Sequence, residues 1–272
     1  MAGGDKWGPE LERHEAKYIV PARLVPEIRH YIRAFVYDDP NAEGSPPEYV
    51  VTTVQLDDPR LSLYAAKEDE ALSRFKLRIR TYGLDTSCPA FLEIKRKIHG
   101  VIVKSRATVR YEDWDDAMCF KPSKLHAFKP GKETFAYLNF VRLVNEIGAK
   151  PVLKVRYHLE SYLGTHDNYS RVTFDRKLCY SMTNAWAPWG VGDRWWTVDM
   201  ADTNLGLKNE EPCVILELKT FSDAPTWMVN LVREFDLTRC GFCKYFTSIR
   251  HESLFSGKYY SDAGESCTEQ LY

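Results

Sequence analysis

Segments near residues 13–17, 76–80, 93–97, 154–160, 171–175 and 217–219 alternate apolar with charged side chains at a period of two, and each carries Lys or Arg on its charged face. That repetition constrains the fold more than any other feature of the chain. One such strand is ordinary, because a half-buried sheet turns one face to the core and the other to water. On an open sheet, basic faces repeated this often would be diluted with Ser, Thr and acids. A closed antiparallel sheet gathers them around a lumen, where Lys and Arg need an anionic guest to offset their burial, and closure removes the edge strands. Phosphate oxygens fit that role, since Arg offers a rigid fork and Lys a compact point charge.

Bulk charge offers no other route to anion binding. The 37 basic and 38 acidic residues leave a net charge of −1, so no overall field draws in nucleic acid or an anionic membrane. There is neither a basic stripe interleaved with aromatics nor a glycine-rich phosphate loop, which argues against nucleic-acid binding. With 272 residues and 44% apolar composition, the chain can bury a large core without disulfides. It is expected to form a single domain over 1–272, with a core at about 10–252 and a flexible tail at about 253–272. Seven cysteines, an odd number, suit a reducing compartment better than a disulfide framework. Cys240 and Cys243 form an isolated C-x-x-C; with no second knuckle to complete a tetrahedral site, they are read as ordinary thiols rather than zinc ligands. MAGGDKWGPE has no apolar leader region and no uncharged apolar run is long enough to span a bilayer, so a cytoplasmic protein without membrane insertion is expected.

Along the chain, 9–20 reads as a strand with Arg13, Glu15 and Lys17 on one face, and 21–35 as an amphipathic helix with Leu24, Ile28, Ile32 and Phe35 on its apolar side. A turn-rich loop at 38–48 precedes a strand at 49–57. In 71–83, Lys76, Arg78 and Arg80 share a face; in 90–98, Glu93, Lys95 and Lys97 do. VIVKSRATVR follows Gly100, a position that fits a turn or a short helical insertion. After the irregular stretch 112–132, residues 133–148 read as a helix capped by Gly148. Strands are expected at 151–164, 169–181 and 213–221, and two helical pieces within 224–249 around a Thr/Cys/Gly break. The segment 184–196 holds four of the seven tryptophans; it suits satellite core packing, a partner surface, or a cover that stacks on a base at the tunnel mouth.

A carboxylate among these bases can be a pairing partner that neutralises an empty tunnel, or a ligand for Mg²⁺ or Mn²⁺ held against phosphates. Glu217 is read as the metal ligand, and Glu15 and Glu93 as pairing partners. His14 alternates away from the Glu15/Lys17 face and is read as packing or surface. His158 shares the Lys154/Arg156 face, close to a ligand if that face lines the lumen.

The segments RHEAKY (13–18), KLRIRTYG (76–83), FLEIKRK (91–97), VKSR (103–106), RVTFDR (171–176), LELKT (216–220) and CKYFTSI (243–249) together resemble the VTC domain, a polyphosphate polymerase domain of the triphosphate tunnel metalloenzyme superfamily, here in a bacterial-type stand-alone form. The resemblance implies an α+β fold: a closed antiparallel β-barrel tunnel of about eight strands with helices packed outside. It implies transfer of the terminal phosphoryl group of ATP to a growing inorganic polyphosphate chain. Lys17, Arg78, Arg80, Lys95, Arg171 and Glu217 would serve catalysis; Lys97, Arg156, Lys219 and Lys244 join the basic residues as binding candidates; Glu217 would hold Mn²⁺ or Mg²⁺. The residues give no physical basis for naming a membrane-protein partner; the resemblance alone allows one, since the family includes membrane-associated complexes.

Two positions depart from the family pattern. Tyr157-His158-Leu159 stands where an Arg is usual in place of Leu159, and Arg156 could substitute only through a bulge or a shifted register. Cys243 replaces the usual Ser. Phosphoryl transfer here needs positioning and charge stabilisation rather than a protein nucleophile. The enzymatic alternative is hydrolysis of tripolyphosphate or a nucleoside triphosphate in the same tunnel; the non-enzymatic one is a polyphosphate or nucleotide sensor, which Leu159 favours.

Overall fold

The computed structural model describes residues 14–99, 101–166, 169–190, 192–198, 212–220, 223–256, 258–260 and 266–268. Residues 9–13, with Arg13, lie outside them, as do parts of the expected tail. The strands are β1 (His14–Pro21), β2 (Val36–Asp38), β3 (Glu48–Asp57), β4 (Ser73–Tyr82), β5 (Ala90–Ile98), β6 (Val101–Val109), β7 (Lys150–Gly164), β8 (Arg171–Met182), β9 (Trp196–Thr197), β10 (Cys213–Thr220), β11 (Lys258–Tyr260) and β12 (Ser266–Thr268). The helices are α1 (Val25–Ile32), α2 (Ser62–Glu68), α3 (Lys132–Ile147), α4 (Thr226–Glu234) and α5 (Lys244–Ser256).

One antiparallel sheet of ten strands carries the fold. Its main order is β1-β10-β8-β7-β3-β4-β5-β6, with β2 added to β7 and β9 to β8. The alternating runs became strands where period two was clearest, and β4, β5 and β6 are successive hairpin partners. Gly148 caps α3 in the left-handed region at φ 63°, the conformation that Gly adopts without a Cβ penalty.

The expected closed barrel is not formed. Among the described residues β1 and β6 are the ends of the sheet and do not pair with each other. The reason lies at the outer edge of β1, where the strap between α4 and α5 takes the backbone groups: the Cys240 amide donates to the Lys17 carbonyl at 2.8 Å and Arg239 bridges Tyr18. The strap thus occupies the middle of the β1 edge, at Lys17 and Tyr18. The open sheet nevertheless bends until its ends approach, with Lys95 Nζ of β5 at 3.8 Å from Glu15 Oε2 of β1.

Helices cover both sides of this trough, which corrects the expectation that they all pack outside. On the convex side, Tyr137, Phe140 and Val144 of α3 pack on Val54, Ile79 and Leu92, while Ile28 and Ile32 of α1 and Leu231 of α4 pack on Val20, Phe174 and Leu216. On the concave side, Tyr245 and Ile249 of α5 join Val155 and Tyr180. Asp57 fixes that plug: its carboxylate accepts from the Leu63 and Tyr64 amides at the start of α2 and from the Tyr245 hydroxyl at 2.8 Å. Burial, opposed by these hydrogen bonds, lifts its pKa to about 6.

Candidate functional site

The concave face encloses a cavity of about 390 Å³. Alternation on each strand delivers one inward row: Lys76, Arg78, Arg80 and Tyr82 from β4, Glu93 and Lys95 from β5, Lys104 and Arg106 from β6, Arg171, Thr173 and Asp175 from β8, Glu217 and Lys219 from β10, Glu15 and Lys17 from β1, with Lys244 at the start of α5. Ten Lys and Arg side chains thus face four carboxylates, Glu15, Glu93, Asp175 and Glu217.

The carboxylates do not neutralise these cations one for one; Glu15, Glu93 and Glu217 each hold two or three, and Asp175 pairs with Lys244. Glu93 accepts from Arg78 Nε at 2.7 Å and Arg106 Nε at 2.9 Å, with Arg80 Nε at 3.9 Å. Burial alone would raise the Glu93 pKa, but Arg78, Arg80 and Arg106 outweigh it and bring the carboxyl to about 2. Glu217 pairs with Lys17, with Lys219 at 2.8 Å and with Lys244 at 3.7 Å. Its burial is likewise outweighed, and it titrates well below the ordinary range. Lys17 also reaches Glu15 at 3.1 Å, and Lys244 also pairs with Asp175. Lys76 donates to Cys243 Sγ at 2.8 Å; burial would raise that thiol's pKa, but the Lys76 ammonium prevails and holds it at about 7.

Lys95 has only a distant counter-charge, Glu15 at 3.8 Å. Burial, reinforced by Arg78, Lys104 and Lys17 against Glu15, pushes its pKa down to about 7. A phosphate bound beside it would raise that pKa, so the complex holds more protons than the free protein. The sign follows: affinity for a fully ionised phosphate falls as pH rises above 7, by about tenfold per unit once free Lys95 is largely neutral. Titration with ATP between pH 7.5 and 9.5, where the nucleotide's own charge is constant, should show this slope, and Lys95→Met should flatten it.

Of the residues proposed from sequence, Lys17, Arg78, Arg80, Lys95, Arg171, Glu217, Lys219 and Lys244 line this cavity. Lys97 lines an adjoining cavity of about 550 Å³ that shares Glu15, Lys17, Lys76, Lys95 and Cys243 with the first. Arg156 lines neither. Val155, Tyr157, Leu159 and Ser161 are the inward row of β7, so Lys154, Arg156 and His158 turn outward. Lys154 is buried against Asp193 at 3.0 Å, the Arg156 guanidinium lies 4.1 Å from the Trp195 ring and donates to Thr52 at 3.1 Å, and His158 meets Glu48 at 3.0 Å. The β7–β8 bulge between Arg156 and His158 leaves Arg156 outside. Leu159 does occupy an inward place. In the tryptophan-rich segment, Trp189 is buried in the core beneath α3 and donates to the Cys88 carbonyl at 2.9 Å, whereas Trp195 lies against Arg156 and Trp196 is exposed.

Sequence reasoning missed Lys104 and Arg106 as ligand candidates, along with Asp175 and the cavity tyrosines. The signal for the first two was present, since Lys104 and Arg106 stand directly across β5 from Lys95 and Glu93. Asp175 follows Arg171 and Thr173 on the same alternating face of β8.

For a divalent cation, the described residues contain no group of three or more His, Cys, Asp or Glu side chains placed to share one ion. The donor set is instead one of hard oxygens around Glu217: Thr173 stands opposite it in register, and the buried Thr173 Oγ1 and Asp175 Oδ1 have no hydrogen-bond partner. Mg²⁺ and Mn²⁺ suit such sites, in which one or two carboxylates act together with substrate phosphates.

No curated protein matches the chain. Among solved structures, the PH1819 protein from Pyrococcus Horikoshii OT3 is similar over 88% of this chain and 99% of its own, at 13% identity and a TM-score of 0.43. The VTC domain matches residues 12–252, a span that includes every strand of the ten-stranded sheet and all of its cavity-lining residues, and the chain belongs to the VTC domain family.

Proposed function

We propose that the chain transfers the terminal phosphoryl group of ATP to an inorganic polyphosphate chain held in the basic cavity. The observation that carries this is the excess of converging cations, ten against four carboxylates, on the face of a curved sheet. Such an excess favours a polyanionic guest of several linked phosphates over a single carboxylate or sulfate. Family membership supports a polyphosphate-related activity.

In this mechanism Arg78, Arg80, Lys95 and Arg171 bind the triphosphate and stabilise charge developing on the transferred group. Lys17 and Lys219, released from Glu217, orient the reacting phosphates. Lys244 moves between Asp175 and the ligand. The acceptor's terminal phosphate oxygen attacks directly, so no protein nucleophile is needed. Glu217 would hold Mn²⁺ or Mg²⁺, with the unsatisfied Thr173 Oγ1 opposite it in register and Asp175 Oδ1 in the same inward row of β8; the ion would supply further charge neutralisation on the phosphates. The adjoining cavity, lined by Lys67, Arg74, Lys97 and Arg239, offers a second basic surface contiguous with the first for the acceptor chain.

Purified protein incubated with ATP, Mn²⁺ and a short polyphosphate primer should lengthen the primer on a gel and release ADP in step. Phosphate release without lengthening would favour hydrolysis. Tight phosphate binding without turnover would leave a sensor.

A further inference from the structure

The two ends of the sheet meet at a seam that carries a cavity in place of a hydrogen-bonded ladder. Paired strands stand about 4.8 Å apart and leave no room between them. Among the described residues, β1 does not pair with β6, and the adjoining cavity of about 550 Å³ is bounded by both ends of the sheet. His14 and Glu15 of β1 line it from one side, together with Arg239 and Cys240 of the strap; Lys97 of β5 and Ile102 of β6 line it from the other. It shares Lys17, Lys76 and Lys95 with the main cavity, so the seam and the phosphate-binding face are one continuous space.

A single carboxylate spans this seam. Glu15 of β1 lies 3.1 Å from Lys17 of its own strand and 3.8 Å from Lys95 of β5. Its charge also acts on Lys219 of β10 and Lys104 of β6. Burial and Glu217 would raise the Glu15 pKa, but Lys17, Lys95 and Lys219 outweigh them and bring the carboxyl to about 2, so it stays ionised at neutral pH. Two lysines from each end of the sheet thus converge on one negative charge. Without it the two lips would repel each other, and a polyanion lying between them would engage all four. The contact that crosses the seam is long, and Lys95 and Glu15 keep 25% and 16% of their side-chain surface in water; a pair of this kind ties two elements together only weakly.

We infer that the seam between β1 and β6 is a side entrance, tethered by Glu15, that admits an interior stretch of a long inorganic polyphosphate without the threading of a free end. The inference rests on the cavity being a phosphate-chain site. It widens the ligand class to chains whose ends are blocked. The entering phosphates displace the Glu15 carboxylate from Lys17 and Lys95 and bridge the two lips in its stead.

The test immobilises one long polyphosphate either through a single end or through both ends, and passes the full chain over each without divalent metal. The wild type, which needs no variant to fold, should bind the two forms with equal affinity. Lys95→Ala combined with Lys219→Ala should weaken binding to both by about 100-fold, which places the bound stretch in the cavity. Glu15→Asp keeps the charge but withdraws it from Lys95, and should associate with the doubly fixed chain about threefold faster, because less of the barrier is spent on opening the seam. Binding to the singly fixed chain alone, or no faster association of Glu15→Asp with the doubly fixed one, would overturn the inference while leaving the phosphate site intact. Failure of the wild type to bind either form, or undiminished binding of both by the double variant, would overturn the phosphate site itself, and the inference with it.

Discussion

Glu217→Gln is expected to lower metal-dependent phosphoryl transfer by about 100-fold or more, while metal-free tripolyphosphate binds no more weakly than to the wild type. The two effects separate because Glu217 has two partners in prospect. In the free protein its carboxylate holds Lys17, Lys219 and Lys244. Removing its charge releases those ammonium groups to a polyanion, and also removes the anionic oxygen proposed to hold the cation. Steady-state rates with Mn²⁺, set beside calorimetric affinities without it, check both halves. A parallel loss of rate and of metal-free affinity would reduce Glu217 to a structural partner of its lysines.

Glu160→Ala should produce the largest loss of stability outside the hydrophobic core and leave the cavity unaffected. Glu160 lies on the outward row of β7, is fully buried, and accepts from Arg29 of α1 at 2.7 and 3.1 Å and from the Tyr162 hydroxyl at 2.7 Å, with Arg176 at 3.4 Å. Removing one member of a buried pair typically costs about 3–5 kcal/mol. Arg29 and Arg176 each keep roughly a quarter of their side-chain surface in water, which lets them rehydrate and puts the cost near the low end, about 3 kcal/mol. At about 2–4 °C per kcal/mol for a chain of this size class, Tm should fall by about 10 °C. Calorimetric unfolding measures the shift, and unchanged tripolyphosphate affinity would confine it to the α1–β7 junction.

Much of this organisation was legible in the amino-acid order, and the exceptions have physical causes. β4 and β5 declared themselves because Lys76, Arg78 and Arg80 alternate strictly with Leu77 and Ile79, and because Glu93 and Lys95 alternate with Leu92 and Ile94. β6 begins with the unbroken apolar run Val101-Ile102-Val103, which hides a period of two, so Lys104 and Arg106 went unassigned. β7 shows a different limit. Alternation groups Lys154, Arg156 and His158 on one face but does not say which face turns inward, and basic character was the wrong guide. Lys154 found Asp193 and Arg156 found Trp195 on the outside, both supplied by the tryptophan-rich segment far along the chain. Closure of the sheet was equally beyond a local pattern. Whether β1 pairs with β6 depends on contacts distant in sequence, and at Lys17 and Tyr18 the edge meets the Arg239–Cys240 strap.

Titration of the full chain with tripolyphosphate, metal-free and at neutral pH, tests most directly whether the cavity is a triphosphate site. One molecule should bind per chain, and the combined substitution Lys95→Ala and Lys219→Ala should weaken it by about 100-fold or more, the scale of two charge-assisted contacts. Binding of equal strength in the double variant, or none to the wild type, would contradict a triphosphate site in this cavity.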